Sequence, residues 1–134
     1  MAQESDWLAS WQVSFEEAAP SLNAWIARSG HLAGHAKVTI TGSVAELNDI
    51  MIYERARLRL GPLARLLGLR GHENYRGQGL GTKLLEEVLA HLRGRGIATI
   101  EGVMSGDTAR LARWFRAAGF HVNEESGRFR RLIR

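Results

Sequence analysis

The first apolar signal along the chain is an alternation. Trp11, Val13 and Phe15 occupy every second position, the period of a strand with one buried face. Polar residues and Pro20 interrupt it at 16–20. Two apolar runs follow, 22–27 and 31–40, on either side of Arg28-Ser29-Gly30. They read as a hairpin, because glycine supplies the positive φ that a tight turn needs. An amphipathic helix over 16–28, with Pro20 near its start, is the competing reading; the hairpin is preferred. Thr41-Gly42-Ser43 marks a further turn. The run 44–54, rich in Ile, Leu, Met and Tyr, is expected to be a central, mostly buried strand.

The stretch 55–74 is the oddest part of the chain. Arg55, Arg57 and Arg59 alternate with Ala56, Leu58 and Leu60, a pattern able to extend the strand with a cationic face. Gly61-Pro62 then turns the chain, and Leu63, Leu66 and Leu67 have helical spacing that Gly68 cuts short. The segment reads as an atypical insertion before the next element. That element is the clearest helix, 80–93, with Leu80, Leu84, Leu85, Val88, Leu89 and Leu92 in one stripe and Gly94 and Gly96 behind it. A buried strand is expected at 97–104. A helix capped by Asp107 or Thr108 should run to Ala118 and stop at Gly119. A last hairpin, 120–124 with 128–133, should turn at Ser126-Gly127. The order of elements defines a mixed α/β (α+β) domain built on one sheet over residues 1–134.

Composition narrows the class. The chain has 134 residues, of which 45% are apolar and 24% charged, enough to bury a core in one domain and unlike a disordered, collagenous or coiled-coil chain. No apolar stretch approaches the roughly 18 residues of a membrane span. Residues 1–6 are polar and acidic, unlike a signal peptide, so a cytoplasmic location is expected. There are no cysteines, which excludes disulfides, thiolate metal sites and a cysteine nucleophile. His31 and His35 are four apart on a predicted strand, about 13 Å from one another, and cannot share a metal unaided; no metal is expected. Charge is uneven. Through Glu54 the chain carries two bases and seven acids; beyond it stand sixteen bases and seven acids, so −5 becomes +9. The basic part favours an anionic partner. Sixteen of the eighteen bases are Arg, which suits phosphate geometry.

The stretch that carries chemistry is Tyr75-Arg76-Gly77-Gln78-Gly79-Leu80-Gly81-Thr82. Three glycines at alternate positions open the long helix, and no Ser, Asp or Asn stands ready to cap it. Uncapped amides at a positive helix end, with glycines that allow close approach and Arg76 beside them, make a diphosphate cradle. The spacing fits neither a dinucleotide-binding G-x-G-x-x-G nor a P-loop. A glycine-rich turn that only packs the helix remains the bland alternative.

Arg76-Gly77-Gln78-Gly79-Leu80-Gly81 resembles the pyrophosphate loop of the GNAT superfamily of N-acetyltransferases, with its Q/R-x-x-G-x-G/A pattern. The run 45–52 looks like that family's fourth strand. Trp114-Phe115-Arg116-Ala117-Ala118-Gly119-Phe120 looks like the end of its second conserved helix. The resemblance covers about 22–134. It implies one mixed, mostly antiparallel sheet with a central parallel, splayed pair of strands. It also implies acetyl-CoA as co-substrate, held by Arg76, Gly77, Gln78, Gly79, Leu80, Gly81 and Thr82 at the pyrophosphate. Ile50, Met51 and Ile52 would lie along the pantetheine arm, with Phe115 at the cofactor side of the second helix. The acetyl group would pass directly to an amine, on a small molecule or a peptide, in a ternary complex. Glu46 is the first candidate for general base, with Glu101 after it; Asp49 and Glu54 are weaker ones.

Three departures accompany the resemblance. Phe115 stands where many members have a Tyr that protonates the leaving thiolate, which leaves Tyr53 or water for that role. Thr108 replaces a frequent Asn. The two helices that usually follow the first strand have no room here, so the front of the fold is expected to be reduced or absent, with 55–74 supplying part of the acceptor site or a dimer contact. Two other readings compete: a CoA-binding module with weak transfer, and a small nucleic-acid binder using the Arg-rich segments. The absence of any helix-turn-helix or aromatic RNA-binding pattern speaks against nucleic acid. If the chain self-associates, a homodimer is the expected form.

Overall fold

The structure, a computed structural model, describes residues 8–57, 79–105 and 108–133, with side chains for all of these except 53–57. The elements in chain order are β1 (Gln12–Ala18), β2 (Ser21–Arg28), β3 (His31–Thr41), β4 (Val44–Arg57), α1 (Leu80–Gly94), β5 (Thr99–Val103), α2 (Thr108–Ala117), β6 (His121–Asn123) and β7 (Arg128–Leu132). The strands form one sheet in the order β1-β2-β3-β4-β5-β7-β6. All neighbours are antiparallel except β4 and β5.

The expected hairpin is β2–β3, turned at Ser29 and Gly30, both at positive φ. The first strand is longer than the alternation suggested. Glu16, Glu17 and Ala18 continue β1 because each pairs with β2, and the break falls only at the cis Ala19–Pro20 bond. Pro20 O then accepts the Ile40 amide at 2.7 Å, tying the turn to β3. β1 and β2 are therefore joined directly, with no helix between them. Of the insertion expected at 55–74, residues 55–57 continue β4, and 58–74 lie outside the described residues.

Register sorts side chains onto two faces. Leu22 and Ala24 oppose Val38 and Ala36; Val38 opposes Leu47; Ala45 opposes Ile100. All are buried, and α1 covers them with Leu80, Leu84, Leu85, Val88, Leu89 and Leu92. Each such side chain removed from water contributes roughly 1.5–3 kcal/mol. α2 lies on the same face farther along, where Phe115 stacks on Phe129 of β7 at 4.0 Å. Gly102 lies beneath that ring, where a Cβ would overlap Phe129 and stand 2.7 Å from Leu47 O.

The opposite face is largely polar, with a few exposed apolar side chains, and carries neither helix. This corrects the expectation that β4 is mostly buried. Ala45 and Leu47 are inside, but Glu46, Asn48, Asp49 and Met51 are exposed. A bulge explains the pattern: Val38 pairs with Leu47 and Lys37 with Asp49, leaving Asn48 as an extra residue. Apolar positions shift there from odd to even, and Ile50 and Ile52 become the half-buried ones.

Candidate active site

The parallel ladder between β4 and β5 pairs Val44 with Thr99 through Leu47 with Gly102, and it stops there. β4 continues to Arg57 without β5 beside it. The two strands thus diverge at the bulge, opening a gap bordered on one side by Ile50, Met51 and Ile52. Ile50 and Ile52 face the helices, while Met51 faces the open side.

α1 begins beside the same gap. Gly79 occupies its N-cap position at φ 81°, ψ 1°, with no side-chain capping bond and no acidic residue in the first turn. A left-handed residue there is costly for anything with a Cβ. Lys83 adds a cation one turn in, and its Nζ donates to Leu8 O at 2.7 Å. The helix start is therefore electropositive, and among the described residues no side chain caps its first turn, an arrangement that attracts an anion. At Gly81 a Cβ would stand 3.3 Å from Ile52 Cγ1 and 3.5 Å from Trp114 Cζ2. Trp114 Nε1 donates to Thr82 Oγ1 at 3.1 Å. So β4, the start of α1 and the middle of α2 meet at one corner. Of the loop residues expected at a cofactor, Gly79, Leu80, Gly81 and Thr82 are at this corner; Leu80 itself is buried in the core. Arg76, Gly77 and Gln78 lie outside the described residues, as does the side chain of Tyr53.

Phe115 is placed differently from the expectation. Its ring is 2% exposed and packed among Trp114, Phe120 and Phe129, so it is a core residue and lines no open surface. It is the preceding residue, Trp114, that faces the corner. Trp114 opens the stretch that resembles the end of the second conserved helix, but nothing in the sequence singled it out over Phe115 as the residue at this corner.

Glu46 and Glu101 are brought together. They pair in register on the last rungs of the parallel ladder, and both project from the open face. Glu101 is also opposite Arg130 of β7. Asp49, one row nearer the gap, has its Oδ2 3.1 Å from His35 Nε2. Nothing in the spacing of the chain joins those two residues, because the pairing depends on the bulge. Among the described residues no group of His, Asp and Glu has metal-binding geometry, and no helix is long and apolar enough to cross a membrane.

A sheet with one diverging parallel pair, and an uncapped glycine-led helix start beside the divergence, defines a class of acyl-transfer fold. Comparison with known proteins identifies which one. The model of the acetyltransferase (GNAT) family matches residues 2–120, and the chain belongs to that family. Solved structures agree on the fold. The ribosomal-protein-S18-alanine N-acetyltransferase from Escherichia coli superposes with a TM-score of 0.63 at 20% identity, over 87% of this chain and 72% of that one. The PaiA N-acetyltransferase from Thermoplasma acidophilum, in complex with coenzyme A, gives 0.62 at 16% over 84% and 61%. An acetyltransferase from Thermus thermophilus gives 0.63 at 18% over 86% and 66%. No curated protein matches the sequence.

Proposed function

We propose that this chain transfers an acetyl group from acetyl-CoA to an amine acceptor by direct attack within a ternary complex, in the cytoplasm. The observation that carries the proposal is the corner at Gly79–Thr82. An uncapped, electropositive helix start stands beside the edge of β4 that the parallel ladder leaves behind. The residues fit the co-substrate: Gly79 leads α1 in a left-handed conformation with no capping side chain, Gly81 lets the helix start close on Ile52 and Trp114, and the amides of α1 suit a pyrophosphate. Acetyl-CoA supplies the activated thioester.

The protein's own groups then have distinct tasks. The loop 76–82 holds the pyrophosphate by backbone amides and the Arg76 charge. The β4 edge at Ile50, Met51 and Ile52 aligns the pantetheine arm, and a backbone amide there polarises the carbonyl. Glu46, with Glu101 beside it, takes the proton that the amine sheds as its nitrogen attacks. The C–N bond forms, the C–S bond breaks, and the electron pair leaves with sulfur. Water or Tyr53 protonates the thiolate, since the ring of Phe115 is buried and has no proton to give. That same feature favours the second reading, a CoA-binding module with weak transfer.

The test is a calorimetric titration of acetyl-CoA into wild type, Gly79→Asn and Gly79→Glu. Asn tolerates the left-handed conformation without adding charge. Binding should survive in the Asn variant and vanish in the Glu variant, whose carboxylate would face the pyrophosphate. Absence of binding to wild type overturns the proposal. Binding without release of thiol in the presence of amines selects the second reading.

A further inference from the structure

Apart from Met51, whose backbone edge also borders the cofactor gap, the open face of the sheet carries a cluster that acetyl transfer, as described, does not use. Register places Trp25, His35 and Met51 in one row across β2, β3 and β4, and Asn23, Lys37 and Asp49 in the next. On a regular strand Asn48 and Asp49 would point to opposite faces. The bulge puts both on this one: Asn48 Oδ1 accepts from Thr39 Oγ1 at 2.6 Å, and Asp49 Oδ2 lies 3.1 Å from His35 Nε2. The Asp49 side chain remains 49% exposed and that of His35 30%. Met51 is also exposed. With Val103 and Leu132 it completes the exposed large apolar side chains among the described residues, and all three lie on this face.

The position of the cluster is specific. Asp49 is the second residue past the last rung between β4 and β5, so it borders the gap. It shares a face with Glu46, one row away. Apolar Trp25 and Met51 flank His35 on either side in the row beyond. We infer that Asp49 receives the charged head of the acceptor and His35 positions its carboxylate, so that the acceptor is a primary ammonium on an unbranched alkyl stem. The stem lies against Trp25 and Met51, and the head is passed toward Glu46. A carboxylate held in one orientation by an imidazole makes a stronger charge-assisted contact than a freely rotating one. Lys37, opposite Asp49 in register, opposes the same cation. This inference rests on the acetyl-transfer reading.

The test uses the full chain, saturating acetyl-CoA and three probe amines: Nα-acetyl-lysine amide, glycinamide, and methoxyamine, which is uncharged at neutral pH. Thiol release is read with a disulfide reagent, free of background because the protein has no cysteine. Wild type should favour the lysine probe over glycinamide. Asp49→Asn should raise the KM for the lysine probe about tenfold, by loss of one charge-assisted contact. Its kcat and its acetyl-CoA affinity should stay within about twofold, and its KM for methoxyamine should not move. His35→Gln should give a smaller rise with the same selectivity, and Lys37→Gln should lower the KM. Equal losses for charged and uncharged amines, or a fall in kcat with KM unchanged, overturn the inference while acetyl transfer stands. A wild type that binds no acetyl-CoA, or releases no thiol with any of the three amines, overturns both.

Discussion

Gly34 tests the packing that shapes the gap. It opposes Ile52 across β3 and β4. A Cβ built there would overlap the Met51 carbonyl oxygen, stand 2.6 Å from Ile52 Cδ1 and 3.2 Å from Ile52 Cα. The methyl tip of Ile52 can swing away, but a backbone oxygen in the sheet cannot. Overpacking of this kind costs about 1–3 kcal/mol. Gly34→Ala also narrows the unfolded ensemble, which returns about 0.4–1 kcal/mol. The net expectation is a loss of about 1–2 kcal/mol, or roughly 3–10 °C in Tm for a domain of this size. Gly94 is the control. A Cβ there meets nothing within 4 Å, and the residue ends α1. Gly94→Ala should therefore gain about 0.5 kcal/mol by helix propensity and chain entropy. Thermal and urea unfolding of both variants measure the difference. Because Ile52 also touches the Gly81 corner, Gly34→Ala should weaken acetyl-CoA binding, and Gly94→Ala should not. A Gly34→Ala protein that melts at or above wild type would refute the close approach of β3 to β4.

Three further outcomes follow from the same packing. Phe115→Ala should cost about 3–5 kcal/mol, because it empties a site enclosed by Trp114, Phe120 and Phe129; urea unfolding reads it directly. Trp114→Phe removes the donor to Thr82 Oγ1 and should cost about 1 kcal/mol, with a matching loss of acetyl-CoA affinity in calorimetry, since the bond fixes the first turn of α1. Glu17 accepts from both Arg95 and His91 at the end of α1. Glu17 and Arg95 are solvent-exposed and His91 is half-buried, so Glu17→Gln should lower stability by less than about 1 kcal/mol, and by less still in melts run at high salt.

Much of the fold was legible because its elements obey simple periods. The α1 stripe, the β2–β3 hairpin and the glycine stops at Gly119 and Gly127 follow from spacing and from φ, and the structure has them where the pattern placed them. The helix start at Gly79 was legible for a chemical reason: a strong amphipathic run with no capping residue exposes its own amides. The continuation of β1 through Glu16 and Glu17 was not legible, since exposed acids on an edge strand look the same as acids in a loop. Nor was the burial of Phe115, whose neighbours Phe120 and Phe129 lie outside its helix.

The candidate site depends most on the feature that periodicity hides. Ala45 and Leu47 keep a period of two, and so do Ile50 and Ile52; only the phase changes, and a search for alternation reads both halves as one buried strand. The trace left in the sequence is the polar pair Asn48-Asp49 between an odd apolar run and an even one. A bulge is the one local device that keeps both runs on the same face. Straightening the strand with every residue kept would carry Ile50 and Ile52 to the open face and Met51 into the core. It would also part Asp49 from His35. The divergence from β5, the edge facing the helix start and the polar cluster across the sheet are thus one structural event, set by a single residue inserted at Asn48.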